Sequence, residues 1–175
     1  MTRLRGFGST PPLVAVVRLP PSLSLAGFPG RDAALAAVCA DVDAAVRAGV
    51  DAVLLENDAD EPQTVVVSKA QVAWLTMQAE AAREMTSLPI GIGVQRIDWE
   101  AALAIAAAAA LEFVRLDVFV DRVRIDGQLV SVDPDRVLAL RAALGIEQVQ
   151  LWTDVHVKHA ELVRASNIEH SARAT

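Results

Sequence analysis

Apolar, β-rich runs alternate along the chain with helix-patterned stretches, the signature of a parallel sheet built from β-α-β crossovers. The pattern predicts a first strand at Leu13 to Arg18, closed by Leu19-Pro20-Pro21, and then a Pro/Gly/Ser loop to Gly30. A helix from about Asp32 to Ala48 follows, with Gly49 placed to stop it. The second strand is Ala52 to Asn57. After a polar loop over 58–67, Ser68 caps a helix that runs to Met85. The third strand, Ile90 to Val94, is entered through Leu88-Pro89, and Asp98 is the N-cap of an alanine-rich helix reaching Ala110. The fourth strand is Phe113 to Asp117. Asp126-Gly127 then sits between two short β-like runs over Arg122 to Val130, a hairpin signal. Asp133-Pro134 opens a fourth helix that ends at Gly145, and the fifth strand is Val149 to Val155. Beyond Glu161 the pattern is partly helical at best.

Strands recur roughly every 35–40 residues, with one shorter step between the third and fourth. A barrel and a Rossmann-like sheet both fit that spacing. No Gly-rich fingerprint follows the first strand, where Pro20-Pro21 stands instead, so the dinucleotide-binding version loses support. The expected fold class is α/β: a parallel (β/α) barrel of the TIM type, incomplete, with about five of the eight units. The expected divisions are an N-terminal extension over 1–12, the partial barrel over 13–163, and a tail over 164–175 that begins a truncated helix. The chain has 175 residues, whereas a complete barrel of this type usually takes ~250.

Ionisable residues gather at the carboxyl ends of the strands, where barrels keep their function. Arg18 ends the first strand, and Glu56-Asn57-Asp58 the second. Gln95-Arg96 ends the third, Arg115 and Asp117 lie on the fourth, and Asp154-Val155-His156-Val157-Lys158-His159 closes the fifth. The opposite strand ends are bland. Side chains on a strand alternate between faces, and outward positions on a barrel must be apolar to meet the helices. Val114, Leu116 and Val118 therefore belong outside, with Arg115 and Asp117 inside. On the fifth strand Trp152, Asp154, His156 and Lys158 share the inner face, opposite Leu151, Thr153, Val155 and Val157.

These positions make Asp154, His156 and Lys158 candidate catalytic groups. Arg18, Glu56, Asn57, Arg96, Arg115, Asp117 and His159 are candidate substrate contacts. Structural alternatives stand beside each. Asp154 and Lys158 can be an internal ion pair with His156 hydrogen-bonded in place, and Arg115 and Asp117 can be a charged pair filling the interior. Arg96 and Asp98 can pair locally while Asp98 merely caps its helix. Asp154-x-His156-x-x-His159, with Glu56 or Asp117, also has a loose metal-ligand spacing, and a lysine in a barrel mouth can form a Schiff base. No resident cofactor is expected, with a divalent metal as the alternative. Trp74, Trp99 and Trp152 read as packing residues.

Composition narrows the partners. The formal net charge is −6 with no basic stripe, which argues against nucleic acid. The longest apolar run, Ala101 to Leu111, is far short of the ~20 residues that span a bilayer, so no transmembrane segment is expected. No apolar signal-peptide core follows the two N-terminal arginines. The single cysteine, Cys39, cannot form an intramolecular disulfide and reads as a buried, inert thiol. The expectation is a cytoplasmic protein.

Several runs together resemble the BtpA/SgcQ family. They are Val16-Val17-Arg18-Leu19-Pro20-Pro21, the stretch Gly49 to Asn57, Leu88-Pro89-Ile90-Gly91 and Val94-Gln95-Arg96-Ile97-Asp98. Phe113-Val114-Arg115-Leu116-Asp117 and Asp154-Val155-His156-Val157-Lys158-His159-Ala160 complete the set. The match covers roughly residues 13–163 and implies a ribulose-phosphate-binding-type barrel. One branch of that family is linked to photosystem I biogenesis as a peripheral membrane-associated factor. Another sits among sugar-metabolism genes, with nucleosidase-like or sugar-phosphate roles. The chain departs from the family pattern at Arg18, where many members carry histidine, and at Gly93 and Asp117, where asparagine is usual. The resemblance implies three further β/α units, so truncation is expected here, with inactivity as one outcome. It also implies a phosphorylated sugar or nucleoside as ligand, or else a non-catalytic assembly role with peripheral membrane contact. A chain that stops after five strands is expected to be a homo-oligomer or to aggregate through its open edges.

Overall fold

The computed structural model describes residues 11–158, 160–163 and 167–175. Five strands form one wholly parallel sheet: β1 (Val14–Arg18), β2 (Ala52–Glu56), β3 (Ile90–Gly93), β4 (Phe113–Leu116) and β7 (Gln150–Thr153). They lie side by side in chain order. A doubly wound sheet reverses its strand order part-way, whereas an unreversed order with helices on one face is how a barrel wraps. The helices are α1 (Arg31–Arg47), α2 (Lys69–Met85), α3 (Trp99–Ala108) and α4 (Pro134–Ala143), and each packs on the next. The architecture is that of an incomplete (β/α) barrel.

Local chemistry places the elements. Ser68 accepts from the Gln71 backbone while the Gln71 side chain returns to the Ser68 backbone, a reciprocal capping box that starts α2. Asp98 caps α3 through the Ala101 N–H, and Asp133 caps α4 with Pro134 in its first turn. Val17, Val53, Leu55, Ile90, Ile92, Val114 and Leu116 point to the helices and join Val38, Leu75, Leu103 and Ile105 in the main core. The opposite, inner face carries Ala52, Leu54 and Phe113, with Val14 and Trp152 against them. The Phe113 ring stacks on Trp152 at 3.9 Å between centroids. It also covers Gly91 so closely that a Cβ there would lie 2.2 Å from the ring.

A second, smaller sheet sits beyond β4. The hairpin of β5 (Arg122–Ile125) and β6 (Gln128–Ser131) turns through Asp126 and Gly127, with φ of 48° and 78°. Both central residues being left-handed is the geometry expected of Asp-Gly in a two-residue hairpin. β8 (Glu161–Leu162) adds to β5 from the other side. Ile97, Val118, Val123 and Val130 form a core beneath this sheet. The short helix α5 (Ile168–Ala174) follows, anchored by Ser171, whose hydroxyl donates to Asp121 at 2.7 Å.

Three expectations change. The fifth strand stops at Thr153, short of Val155, and His156 adopts φ 53°. The two-residue alternation therefore does not extend to His156 and Lys158. The segment at Glu161 is a strand before it is a helix. Cys39 is half-buried on α1 rather than buried. The tryptophans pack as expected: Trp74 is buried edge-on to Phe28, and Trp99 lies under Arg136.

Candidate functional site

The carboxyl ends of β2, β3, β4 and β7 open into a cleft of about 1000 Å³. Strand register builds its floor. Glu56, Gly93 and Arg115 occupy one row across β2, β3 and β4, and Trp152 continues it on β7. Gly93 has no side chain, so Glu56 reaches over β3 to Arg115, and the Arg115 Nη1 to Glu56 Oε1 distance is 2.6 Å. A Cβ at Gly93 would lie 3.1 Å from that same oxygen. On the other side, Asp154 stands two residues beyond Trp152 and takes Arg115 in a two-pronged pair, at 2.6 Å from Nη2 and 3.2 Å from Nε. Asp117 is 3.6 Å from the same Nε.

Arg115 is therefore the hub of the floor, with three carboxylates around one guanidinium. Hydrogen bonds to Asp154 hold it charged, above the ordinary arginine range, and Asp117 and Glu56 add to them against the cost of burial. Burial drives the Glu56 carboxyl above its ordinary value, and the pairing with Arg115 offsets this only in part. Asp154 pairs with Arg115, not with Lys158. The Arg115–Asp117 pair is present but is the longest of the set.

The rim differs. Arg96 Nε donates to Gln63 Oε1 at 3.2 Å, and its Nη1 pairs with Asp126 at the hairpin tip rather than with Asp98. Asp98 has both oxygens engaged, by Ala101 N–H and by Val67 N–H. Lys158 is exposed on the cleft wall, next to Val155, His156 and Val157. The His156 backbone N–H donates to Asp121 at 3.2 Å, and its Nε2 lies 3.4 Å from Ser171 Oγ. Arg18 extends along Asp58, 3.0 Å away, at the outer margin. Asn57 lies buried behind the wall, accepting from Gln95 N–H at 2.7 Å and donating to Asp60. His159 lies outside the described residues.

The cleft thus brings together Glu56, Arg96, Arg115, Asp117, Asp154, His156 and Lys158. Gln63 and Asp126 join it without having been expected, because their roles depend on loops that meet only in the fold. Asp60 is a further surprise. It is fully buried and accepts from the Ser22 backbone, Ser22 Oγ, Asn57 and Gln71, tying the first two loops to α2. Among the described residues, no three His, Cys, Asp or Glu side chains cluster to hold a metal ion.

Comparison with known proteins fixes the relationship. The BtpA family model matches residues 9–175. The chain belongs to the BtpA family. It is 33% identical over 161 residues to an uncharacterized protein of Pyrococcus horikoshii, covering 91% of this chain and 61% of that protein. It is 35% identical over 150 residues to an uncharacterized protein of Thermococcus kodakarensis, covering 85% and 57% respectively. The photosystem I biogenesis protein BtpA of Synechocystis is 29% identical over 170 residues, covering 96% of this chain and 59% of that one. The chain therefore spans about three fifths of the length of these BtpA-family relatives. Among the described residues no helix is long and apolar enough to cross a membrane.

Proposed function

We propose that the cleft binds and processes a phosphorylated sugar or nucleoside. The observation that carries this reading is the division of labour among its cations. Arg115 has Nε, Nη1 and Nη2 committed to carboxylates on the floor, whereas Arg96 pairs with a single, exposed carboxylate, Asp126, and Lys158 lines the cleft exposed. A floor of fixed carboxylates accepts hydrogen bonds from sugar hydroxyls, and rim cations suit a phosphate. Burial raises the Glu56 carboxyl above its ordinary value, and its Oε1 accepts from Arg115 on the floor. Asp154, His156 and Lys158 would supply proton transfer and electrostatic stabilisation at the closing strand.

The test follows ribose 5-phosphate and a set of nucleosides over time by NMR in the presence of the protein. His156→Asn is the informative variant, since asparagine tolerates the left-handed backbone that alanine would strain. Turnover should fall by about 100-fold or more while the melting temperature holds. Unchanged turnover would remove His156 from the chemistry.

A second reading rests on the Synechocystis relative, named for photosystem I biogenesis. A non-catalytic assembly factor would co-sediment with membranes and be indifferent to substitution of Asp154 or Lys158.

A further inference from the structure

Arg96 and Asp126 meet on the lining of the cleft, one from just beyond the end of β3 and the other from the tip of the β5–β6 hairpin, 30 residues apart in sequence. Arg96 is held from behind. Its Nε is on Gln63 Oε1, and Gln63 is itself oriented by donating to the Asp58 carbonyl and carboxylate, each at 3.3 Å. Arg96 and Asp126 both line the cleft, and the Asp126 carboxylate lies on Arg96 Nη1. The Asp126 side chain is 76% exposed and that of Arg96 32%.

We infer that Asp126 is a built-in competitor occupying an anion subsite centred on Arg96, and that a phosphate group of the ligand displaces it. A carboxylate and a phosphate present the same oxygen geometry to a guanidinium, and phosphate, carrying more charge, binds the fork more strongly. An ion pair this exposed is a weak latch, so an incoming dianion can break it. The hairpin tip then loses its anchor on Arg96, and anion binding and hairpin position become linked. Arg115 cannot serve as this subsite without abandoning Glu56 and Asp154. The inference rests on the proposed reading of the cleft, but it concerns the anion alone.

A double-mutant cycle tests it, using calorimetric titration of the 175-residue chain with inorganic phosphate and with ribose 5-phosphate. Asp126→Asn should tighten both about three- to fivefold, the penalty a weak latch imposes on a competing ligand. Arg96→Gln should lose most of the phosphate affinity, and adding Asp126→Asn to it should change nothing further. Equal tightening in the Arg96→Gln background would mean a general charge effect and overturn the competition. Failure of phosphate to bind either the wild type or Asp126→Asn at millimolar concentration would overturn the subsite itself. If ribose 5-phosphate binds but ignores both substitutions, this inference falls and the sugar-phosphate reading stands. Phosphate binding with no response to any sugar would have the opposite meaning.

Discussion

Arg115 stands among Glu56, Asp117 and Asp154, and its removal leaves those carboxylates facing one another. Breaking a buried ion pair costs ~3–5 kcal/mol, and partial exposure of the guanidinium reduces this, so Arg115→Gln should lose about 2–3 kcal/mol at neutral pH. Urea unfolding at neutral pH would measure it. Glu56 gives a pH test. Its folded pKa lies above the ordinary 4.5, so the folded protein retains a proton that the unfolded chain has released. Its contribution to stability is therefore full below 4.5 and lost as pH rises through the folded value. The melting temperature of Glu56→Gln relative to wild type should climb across that window, and a flat difference would contradict the burial. Gly91 offers a steric test. A methyl group there meets the Phe113 ring, so Gly91→Ala should cost ~1–3 kcal/mol by overpacking.

At the scale of elements, the five strands and four long helices were legible because their apolar periods of two and 3.6 differ and their caps are local. Ser68, Asp98, Asp133 and the Asp126-Gly127 turn all act within a few residues of themselves. The fifth strand's end was not legible. Val155-His156-Val157-Lys158 keeps alternating, yet the backbone turns at His156, whose N–H is taken by Asp121, 35 residues earlier. Arg96 was placed in the cleft, but its partner was not legible, for the same reason: its near neighbour Asp98 is consumed by the start of α3, and Asp126 arrives on the hairpin. The floor was partly legible, since parity put Arg115 and Asp117 inside, but the reach of Glu56 over Gly93 depends on strand register. Asp60 lay hidden in a polar loop. Its carboxylate gathers Ser22, Asn57 and Gln71, so Asp60→Ala should cost at least ~3 kcal/mol by leaving several buried donors unpaired. Hydrogen exchange should rise first at the loops after β1 and β2. Protection unchanged there would deny Asp60 that role.

For the whole molecule, the sheet has β1 and β7 at its margins, and the inner face near β1 shows Val16 58% exposed. Strand edges with no partner among the described residues, beside apolar surface, favour association. The 175-residue chain should therefore gain mass with concentration in analytical ultracentrifugation, and Val16→Lys should reduce that gain. The strand-end cleft, organised on Arg115 and Asp154, is proposed to bind a phosphorylated sugar or nucleoside. Calorimetric titration of ribose 5-phosphate into wild type and Asp154→Asn, each verified to unfold cooperatively, tests it most directly. Saturable binding that weakens about tenfold or more in Asp154→Asn is the expected result. Equal affinity in the two proteins, or no binding to the wild type, would contradict it.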